Sequence, residues 1–288
     1  MAPQIQPIVV DNASSDETVE RARAAGARVV VNSRNMGFAA AANQGAKICA
    51  GASHILLLNP DAEIVTGLDA LIDAANRYGI AAGQLQDEGG KPQKGFSIRR
   101  LPTARTLIWE QLGLNRLFPQ NAVNRNYRCL DRDANEAGAV EQPAGAFLMV
   151  RIDVWKTLQG LDEIFYPVWF EDVDFCRRAQ LAGFRIEYVP QAAARHVGGH
   201  SFMSLGSSRR SEYWCDNLLK YSRRHFCPLE FKGVCVAVML STVPRMVAAL
   251  FHERNVRPVL TCCKIFATAA RRMFSASFAQ SCCARSLG

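Results

Sequence analysis

No Cys-x-x-Cys spacing occurs among the ten cysteines, and Cys262-Cys263 and Cys282-Cys283 are adjacent pairs, so a structural zinc site is not expected. The first residues lack the basic-then-apolar pattern of a secretion signal, and the cysteines are sparse for the length. Both features lead to reduced thiols in a cytoplasmic protein, several of them filling apolar positions. An uninterrupted membrane-length apolar run is also missing: the longest candidate, 234–251, is broken by Pro244 and Arg245. No nucleic-acid recognition motif is present, so nucleic acid is not an expected partner.

What is present is an ordinary globular composition over 288 residues, enough for one large α/β domain and a smaller appendage. Charge is unevenly spread: from Arg195 onward there are 14 Lys and Arg against 4 Asp and Glu, while the remainder holds 20 against 22. A near-neutral body followed by a basic section suits an anionic surface or ligand, membrane lipid or, without a recognition motif to support it, nucleic acid, with a basic solvated face as the alternative. Lys220, Arg223, Arg224, Arg271 and Arg272 flank the apolar stretch, so an interfacial amphipathic segment is expected, with a packed helical hairpin as the alternative.

Apolar runs and turn residues alternate as strand and helix. Strands are expected at 8–10, 28–31, 54–58, 80–85, after a turn within 142–151 and at 185–189, with helices over 17–25, 39–50, 68–78 and 171–182. The alternation predicts βαβ units and a mostly parallel sheet flanked by helices. Four apolar residues, 55–58, read as a strand buried on both faces, and Pro60 ends it. Asp61 then stands past the carboxyl end of that strand, where open α/β sheets bind ligands. Residues 86–141 have no clear period and read as an excursion over the site, with a short helix near 106–112. The expected domains are 1–205, including that excursion, and a helical basic region over 206–288.

Polar residues collect at the ends of these elements. Asp11-Asn12 closes the first strand, and Asn35-Met36-Gly37-Phe38 precedes an Ala-rich helix containing Asn43 and Gly45. An aromatic run, 165–170, leads directly into Glu171, Asp172 and Asp174 at the start of a helix. Acids at a helix N-terminus are favoured by its dipole, but capping needs only one. His196 follows the last strand and is expected in a glycine-rich loop.

Together, Val10-Asp11-Asn12-Ala13-Ser14-Ser15-Asp16, Asn35-Met36-Gly37-Phe38 with Asn43 and Gly45, Asn59-Pro60-Asp61-Ala62, Gly145-Ala146-Phe147, and Phe170-Glu171-Asp172-Val173-Asp174 with His196 resemble, in this order, a family 2 glycosyltransferase of the GT-A fold. The branch they resemble includes rhamnosyltransferase-like enzymes, and the likeness runs from about Ile8 to His200. It implies transfer of a sugar, with inversion, from a nucleotide-diphosphate sugar to a hydroxyl of a glycan or lipid-linked acceptor, for a surface glycan made at the inner face of the cell membrane.

The resemblance also implies roles. Asp11 would contact the nucleoside, and Asn35, Gly37 and Asn43 would line the donor. Asp61 would hold Mg²⁺ or Mn²⁺ against the diphosphate, with His196 as a second metal contact. Asp172 would be the general base, and Trp169, Phe170, Glu171 and Asp174 would meet the acceptor. Two departures stand out. Asn59 takes the place of the first acid of the family's Asp-x-Asp, and only seven residues precede Ile8, where relatives carry another strand and helix. The second departure predicts unpaired positions on the neighbouring strands. It leads either to a start upstream of Met1 or to a catalytically impaired relative that acts at most as a membrane-surface binder. A pyrophosphorylase-type nucleotidyltransferase would need a Gly-rich phosphate loop near the N-terminus, which is absent.

Overall fold

The computed structural model describes residues 5–49, 51–198, 206–252 and 256–275. The chain forms two compact units, Met1–Leu101 with Arg132–Gly198, and Pro102–Asp131 with Gly199–Gly288. The expected boundary near 205 is therefore not the whole division: part of the 86–141 excursion belongs to the unit of the C-terminal helices.

The first unit opens with β1 (Ile8–Asp11), α1 (Thr18–Ala24), β2 (Arg28–Val31) and α2 (Phe38–Ile48). β1 and β2 pair in parallel as a separate two-stranded sheet. The Ala-rich α2 lies close on β1, where a Cβ on Gly45 would sit 3.5 Å from Val10 Cγ2. There follow β3 (His54–Leu58), β4 (Ala62–Thr66), α3 (Leu68–Tyr78), β5 (Gly79–Gln86) and β6 (Ile98–Arg99). After the excursion come β7 (Gly138–Ala139), β8 (Gln142–Pro143), β9 (Phe147–Arg151), α7 (Ile152–Thr157), α8 (Glu171–Leu181) and β10 (Arg185–His196).

The main sheet has the order β3-β9-β5-β10-β4, with β7 also on β10. The α/β class is as expected, but the pairing is mixed rather than mostly parallel. Only β1–β2 and β5–β10 run parallel; β3–β9, β5–β9, β4–β10, β7–β10 and β6–β8 are antiparallel. The reason lies in β9, which arrives after the excursion and inserts between β3 and β5. Among the described residues, β3 pairs with β9 alone and β1 with β2 alone. β3 is accordingly an edge strand: Ile55 and Leu57 are buried, but Leu56 is half-buried and Leu58 exposed, against the expectation of burial on both faces.

The core lies where α3 covers β5, β9 and β10, through Leu71, Ala75, Ala81, Leu85, Phe147 and Met149. It is tightest at Gly83, where an added Cβ would fall 2.1 Å from Phe147 Cε1 and 2.8 Å from the Ala192 carbonyl oxygen. Both neighbours are immobile, one a fully buried ring and the other main chain.

The second unit holds α4 (Ala104–Gln111), α5 (Leu114–Leu117), α6 (Ala122–Tyr127), α9 (Ser207–His225), α10 (Pro228–His252) and α11 (Val256–Phe274). Thr103 caps α4, its hydroxyl accepting from Thr106 N at 3.2 Å. Gln111 Nε2 donates to Ser241 Oγ at 2.9 Å, and Asp216 receives both Lys220 (2.8 Å) and Arg272 (2.6 Å). α10 runs through Pro244 as a single helix. No helix among the described residues is long and apolar enough to cross a membrane.

Overpacking a well-filled core costs about 1–3 kcal/mol. Gly83→Ala is thus expected to lower the unfolding free energy of the first unit by that amount, read as a fall in the urea midpoint with little change in slope. A mutant that unfolds at the wild-type midpoint would mean that the sheet yields at Phe147.

Candidate active site

Asp61 sits in the turn between β3 and β4, which Pro60 enforces. Its main chain is fixed from β10, since Val197 N donates to the Asp61 carbonyl at 3.1 Å. β10 pairs antiparallel with β4 so that His196 stands opposite Ala62. His196 is therefore the last residue of a strand rather than part of a loop; Gly199, His200 and Ser201 lie outside the described residues. This register brings His196 Nε2 to 3.4 Å from Asp61 Oδ1, without hydrogen-bond geometry, and to 3.5 Å from Asn59 Nδ2. Both side chains are nearly buried, and Asp61 Oδ1 has no hydrogen-bond partner. A buried carboxylate oxygen left unpaired beside an imidazole nitrogen is costly unless a cation shares it. The donor set of one carboxylate and one imidazole suits a divalent ion that completes its shell with ligand oxygens. No cluster of three or more His, Cys, Asp or Glu residues occurs among the described residues, so such an ion would depend on those further oxygens.

Asp172 lies in the first turn of α8, and its carboxylate is held by two main-chain donors, Gly145 N (3.1 Å) and Val173 N (2.8 Å). A Cβ on Gly145 would come within 3.2 Å of Asp172 Cβ, so only glycine lets the two segments meet this closely without displacement. The next residue, Ala146, accepts from Asn59 N at 3.0 Å. The Asp61 turn and the Asp172 carboxylate thus hang on adjacent residues of one short segment entering β9. Burial raises the Asp172 carboxyl above its ordinary range, while the Gly145 and Val173 N–H groups and the Arg99 guanidinium oppose the rise. The result is a carboxylate kept basic enough to accept a proton.

The two flanking acids differ. Asp174 is fully buried and ion-paired with Arg178 at 2.7 Å. Arg178 in turn donates to the carbonyls of Leu158 and Gly160. Complete burial removes Asp174 from any acceptor, so its expected contact there gives way to a role in anchoring α8. Glu171 is also buried, its Oε2 has no partner, and burial and then the neighbouring Asp172 charge push its carboxyl well above the usual range. Folding therefore favours the protonated form of Glu171. Ahead of them, Trp169 and Phe170 are both left-handed, at φ 78° and 75°. Two such residues in succession cost energy that the surrounding packing must hold, and they aim the start of α8.

The remaining expected residues form a second group. Asp11 is buried, and its carboxylate accepts from Ser14 N at 3.2–3.3 Å. Asn12 Nδ2 donates to the Gly37 carbonyl, and Asn35 Oδ1 accepts from Gly37 N at 2.8 Å. Gly37 has φ +88°, and a Cβ there would meet Tyr166 Cδ2 at 3.0 Å and the Pro167 carbonyl at 3.1 Å. The close approach that Gly37 allows is thus made by the chain leading to Trp169, and Phe38 N bonds the Pro167 carbonyl at 2.8 Å. Asn43 spends its amide on the chain itself: Oδ1 accepts from Leu161 N (3.0 Å), while Nδ2 donates to the Leu161 carbonyl (2.8 Å) and Glu163 (3.0 Å). It brackets α2 to the segment before the aromatic run, which leaves it a positioning residue rather than a donor contact.

Sequence reasoning missed Gln93, Phe96 and Arg99. Phe96 stacks on His196 with ring centroids 5.3 Å apart, and Arg99 lies over Phe96 while its charge acts on Asp172. All three fall at the start of the non-periodic excursion, where no spacing marks them.

A Glu171 that stays protonated in the fold but ionises in the unfolded chain makes stability fall as pH rises through the ordinary glutamate range. The fall is at most about 1.4 kcal/mol per pH unit. Glu171→Gln, which mimics the neutral acid, should flatten this decline between pH 5 and pH 8 in thermal melts. Parallel declines in wild type and mutant would show that Glu171 is not the group responsible.

The family model described as Glycosyl transferase family 2 matches residues 2–135. Rhamnosyltransferase WbbL of Escherichia coli K12 is 29% identical over 161 residues, covering 54% of this chain and 56% of that protein. The low-salt glycan biosynthesis hexosyltransferase Agl10 of Haloferax volcanii is 23% identical over 196 residues, covering 66% of this chain and 58% of that protein. The chain thus spans little more than half the length of these curated relatives. Among solved structures, the mannosyltransferase PcManGT of Pyrobaculum calidifontis in complex with GDP-Man and Mn²⁺ matches with a TM-score of 0.46 at 16% identity, over 95% of this chain and 67% of that one. GalNAc-T7 with UDP, GalNAc and Mn²⁺ matches with a TM-score of 0.47 at 14% identity, over 66% of this chain and 37% of that one.

Proposed function

The chain belongs to glycosyl transferase family 2, and on that premise we propose that it is an inverting glycosyltransferase using a nucleotide-diphosphate sugar. The observation that carries the reading is the Gly145–Ala146 segment, which fixes the Asp172 carboxylate by one residue and the Asp61 turn by the next. Asp172 accepts the proton of an acceptor hydroxyl as that oxygen bonds to the anomeric carbon. The nucleotide diphosphate leaves from the opposite face with the bonding pair, so the configuration inverts. Asp61 and His196 would hold a divalent ion, Mn²⁺ in preference to Mg²⁺ given the imidazole, and that ion supplies charge stabilisation to the leaving diphosphate. Asp11 offers acceptor oxygens to a nucleoside, and Trp169 offers a ring face to a sugar.

Asp172→Asn keeps the shape and removes the base. Sugar transfer is expected to fall by about 10²–10⁴-fold, with calorimetric affinity for UDP or dTDP in the presence of Mn²⁺ within about threefold of wild type. A loss of affinity matching the loss of rate would instead make Asp172 a binding residue. A second reading, a relative with impaired donor binding, is favoured by β1–β2 standing as its own sheet. Absence of UDP and dTDP binding to the wild type at millimolar concentration would decide for it.

The acceptor side is proposed to be a glycan or lipid-linked hydroxyl at an anionic membrane. Support comes from α10, where Leu229, Val236, Leu240, Val243 and Val247 are exposed along one face, within a region rich in Lys and Arg. Val236→Asp with Leu240→Asp should abolish flotation with phosphatidylglycerol vesicles; unchanged flotation would remove α10 from the docking surface.

A further inference from the structure

We propose that Gln93 is a positioning residue that fixes His196 in the tautomer bearing its proton on Nδ1, leaving the Nε2 lone pair free for a divalent cation beside Asp61. The inference rests on the metal reading above and adds to it the residue that prepares the ligand.

Gln93 grips His196 twice. Its Nε2 donates to the His196 main-chain carbonyl at 2.7 Å, and its Oε1 lies 3.2 Å from His196 Nδ1. The first contact settles the second. A carbonyl oxygen can only accept, so the amide nitrogen must face it; turning the amide over would set two acceptor oxygens against each other. With Nε2 committed, Oε1 is what meets the ring, and an amide oxygen can only accept, so Nδ1 must carry hydrogen. The neutral imidazole then has its lone pair on Nε2. That lone pair points to where Asn59 Nδ2, a donor, stands at 3.5 Å and the unpartnered Asp61 Oδ1 at 3.4 Å. A proton on Nε2 would compete with Asn59, whereas a lone pair there and the Asp61 oxygen make two adjacent ligand atoms with nothing between them.

The grip is rigid because the Gln93 main chain is fixed independently of its side chain. Gln93 N donates to the Leu85 carbonyl at 2.8 Å, and its own carbonyl receives Phe96 N, Ser97 N and Ser97 Oγ at 3.0–3.2 Å. Phe96, carried by the same turn, stacks on the imidazole and limits its rotation. An outer hydrogen bond that sets a ligating histidine's tautomer typically changes metal affinity by about 10–100-fold when lost.

The test uses the full chain and two readouts. Nitrogen-15 shifts of the His196 imidazole, measured without metal, report the tautomer, and electron paramagnetic resonance of free Mn²⁺, with UDP present, reports affinity. Wild type should show protonated Nδ1. Gln93→Met, close in volume but with only a weakly accepting thioether and no donor, should lose that preference and bind Mn²⁺ about 10–100-fold more weakly, with an unchanged circular dichroism spectrum. Gln93→Met that retains protonated Nδ1 would overturn the positioning role, whatever the metal does. Asp61→Ala and His196→Ala that bind Mn²⁺ as wild type does would overturn the metal reading itself and the purpose assigned to Gln93. Loss of affinity in those two variants, with none in Gln93→Met, would overturn only the inference about Gln93.

Discussion

The constraint on which the site depends is the hydrogen bond from Gly145 N to the Asp172 carboxylate. A bond to a charged acceptor contributes about 1.5–3 kcal/mol, but its geometric consequence is larger. Gly145 and Ala146 enter β9, and β9 is the strand that holds β3 and β5 together. On one side Ala146 fixes Asn59, and with it the turn bearing Asp61; on the other, Gly145 fixes the first turn of α8. A side chain at 145 would move Asp172 away from the sheet, so glycine here serves close approach between two segments.

Three carboxylates within four residues could have been three equivalent acids, but their surroundings divide them. Asp174 faces inward and is neutralised by Arg178, which ties α8 to the carbonyls at 158 and 160. Glu171 faces inward with its Oε2 unpartnered, and burial and then the Asp172 charge favour its protonated form. Asp172, between them, receives two main-chain N–H groups and the field of Arg99, and so remains able to carry charge in a half-buried setting. Environment rather than residue type assigns the roles. The consecutive left-handed residues Trp169 and Phe170 set the angle at which α8 begins, and hence which acid points where.

Much of the first unit was legible from hydrophobic pattern. The strands at 28–31 and 54–58 and the helix at 68–78 fall where the apolar runs and their bounding Gly and Pro residues put them. That Asp61 follows a strand and Asp172 opens a helix was legible because each comes after an unmistakable run, one apolar and one aromatic. Strand partners were not legible. An apolar run states that a strand is buried, not which neighbour lies beside it, and β9 reaches its place between β3 and β5 only after the whole excursion has left the sheet and returned. Gly198 and Gly199 after His196 predict a loop, whereas a bulged β10 carries the strand as far as 196. Gln93 and Arg99 were invisible for a different reason: their significance comes entirely from what they touch, and no local spacing encodes a contact across about a hundred residues of chain.

The same contacts give Asn59 a physical meaning. An acid at that position would set a third acceptor beside Asp61 Oδ1 and the His196 lone pair, and it would need a second positive charge to be tolerated in a buried pocket. The asparagine instead turns a neutral N–H toward Nε2 at 3.5 Å, a long contact that a cation taking the lone pair would displace, and it adds no second negative charge beside Asp61. A dication there would meet one negative charge from the protein, and the diphosphate of the donor would have to supply the rest. Binding of ion and donor would then be mutually dependent: neither site is electrostatically complete without the other, and Gln93, by holding the lone pair in place beforehand, lowers the reorganisation that their joint arrival requires.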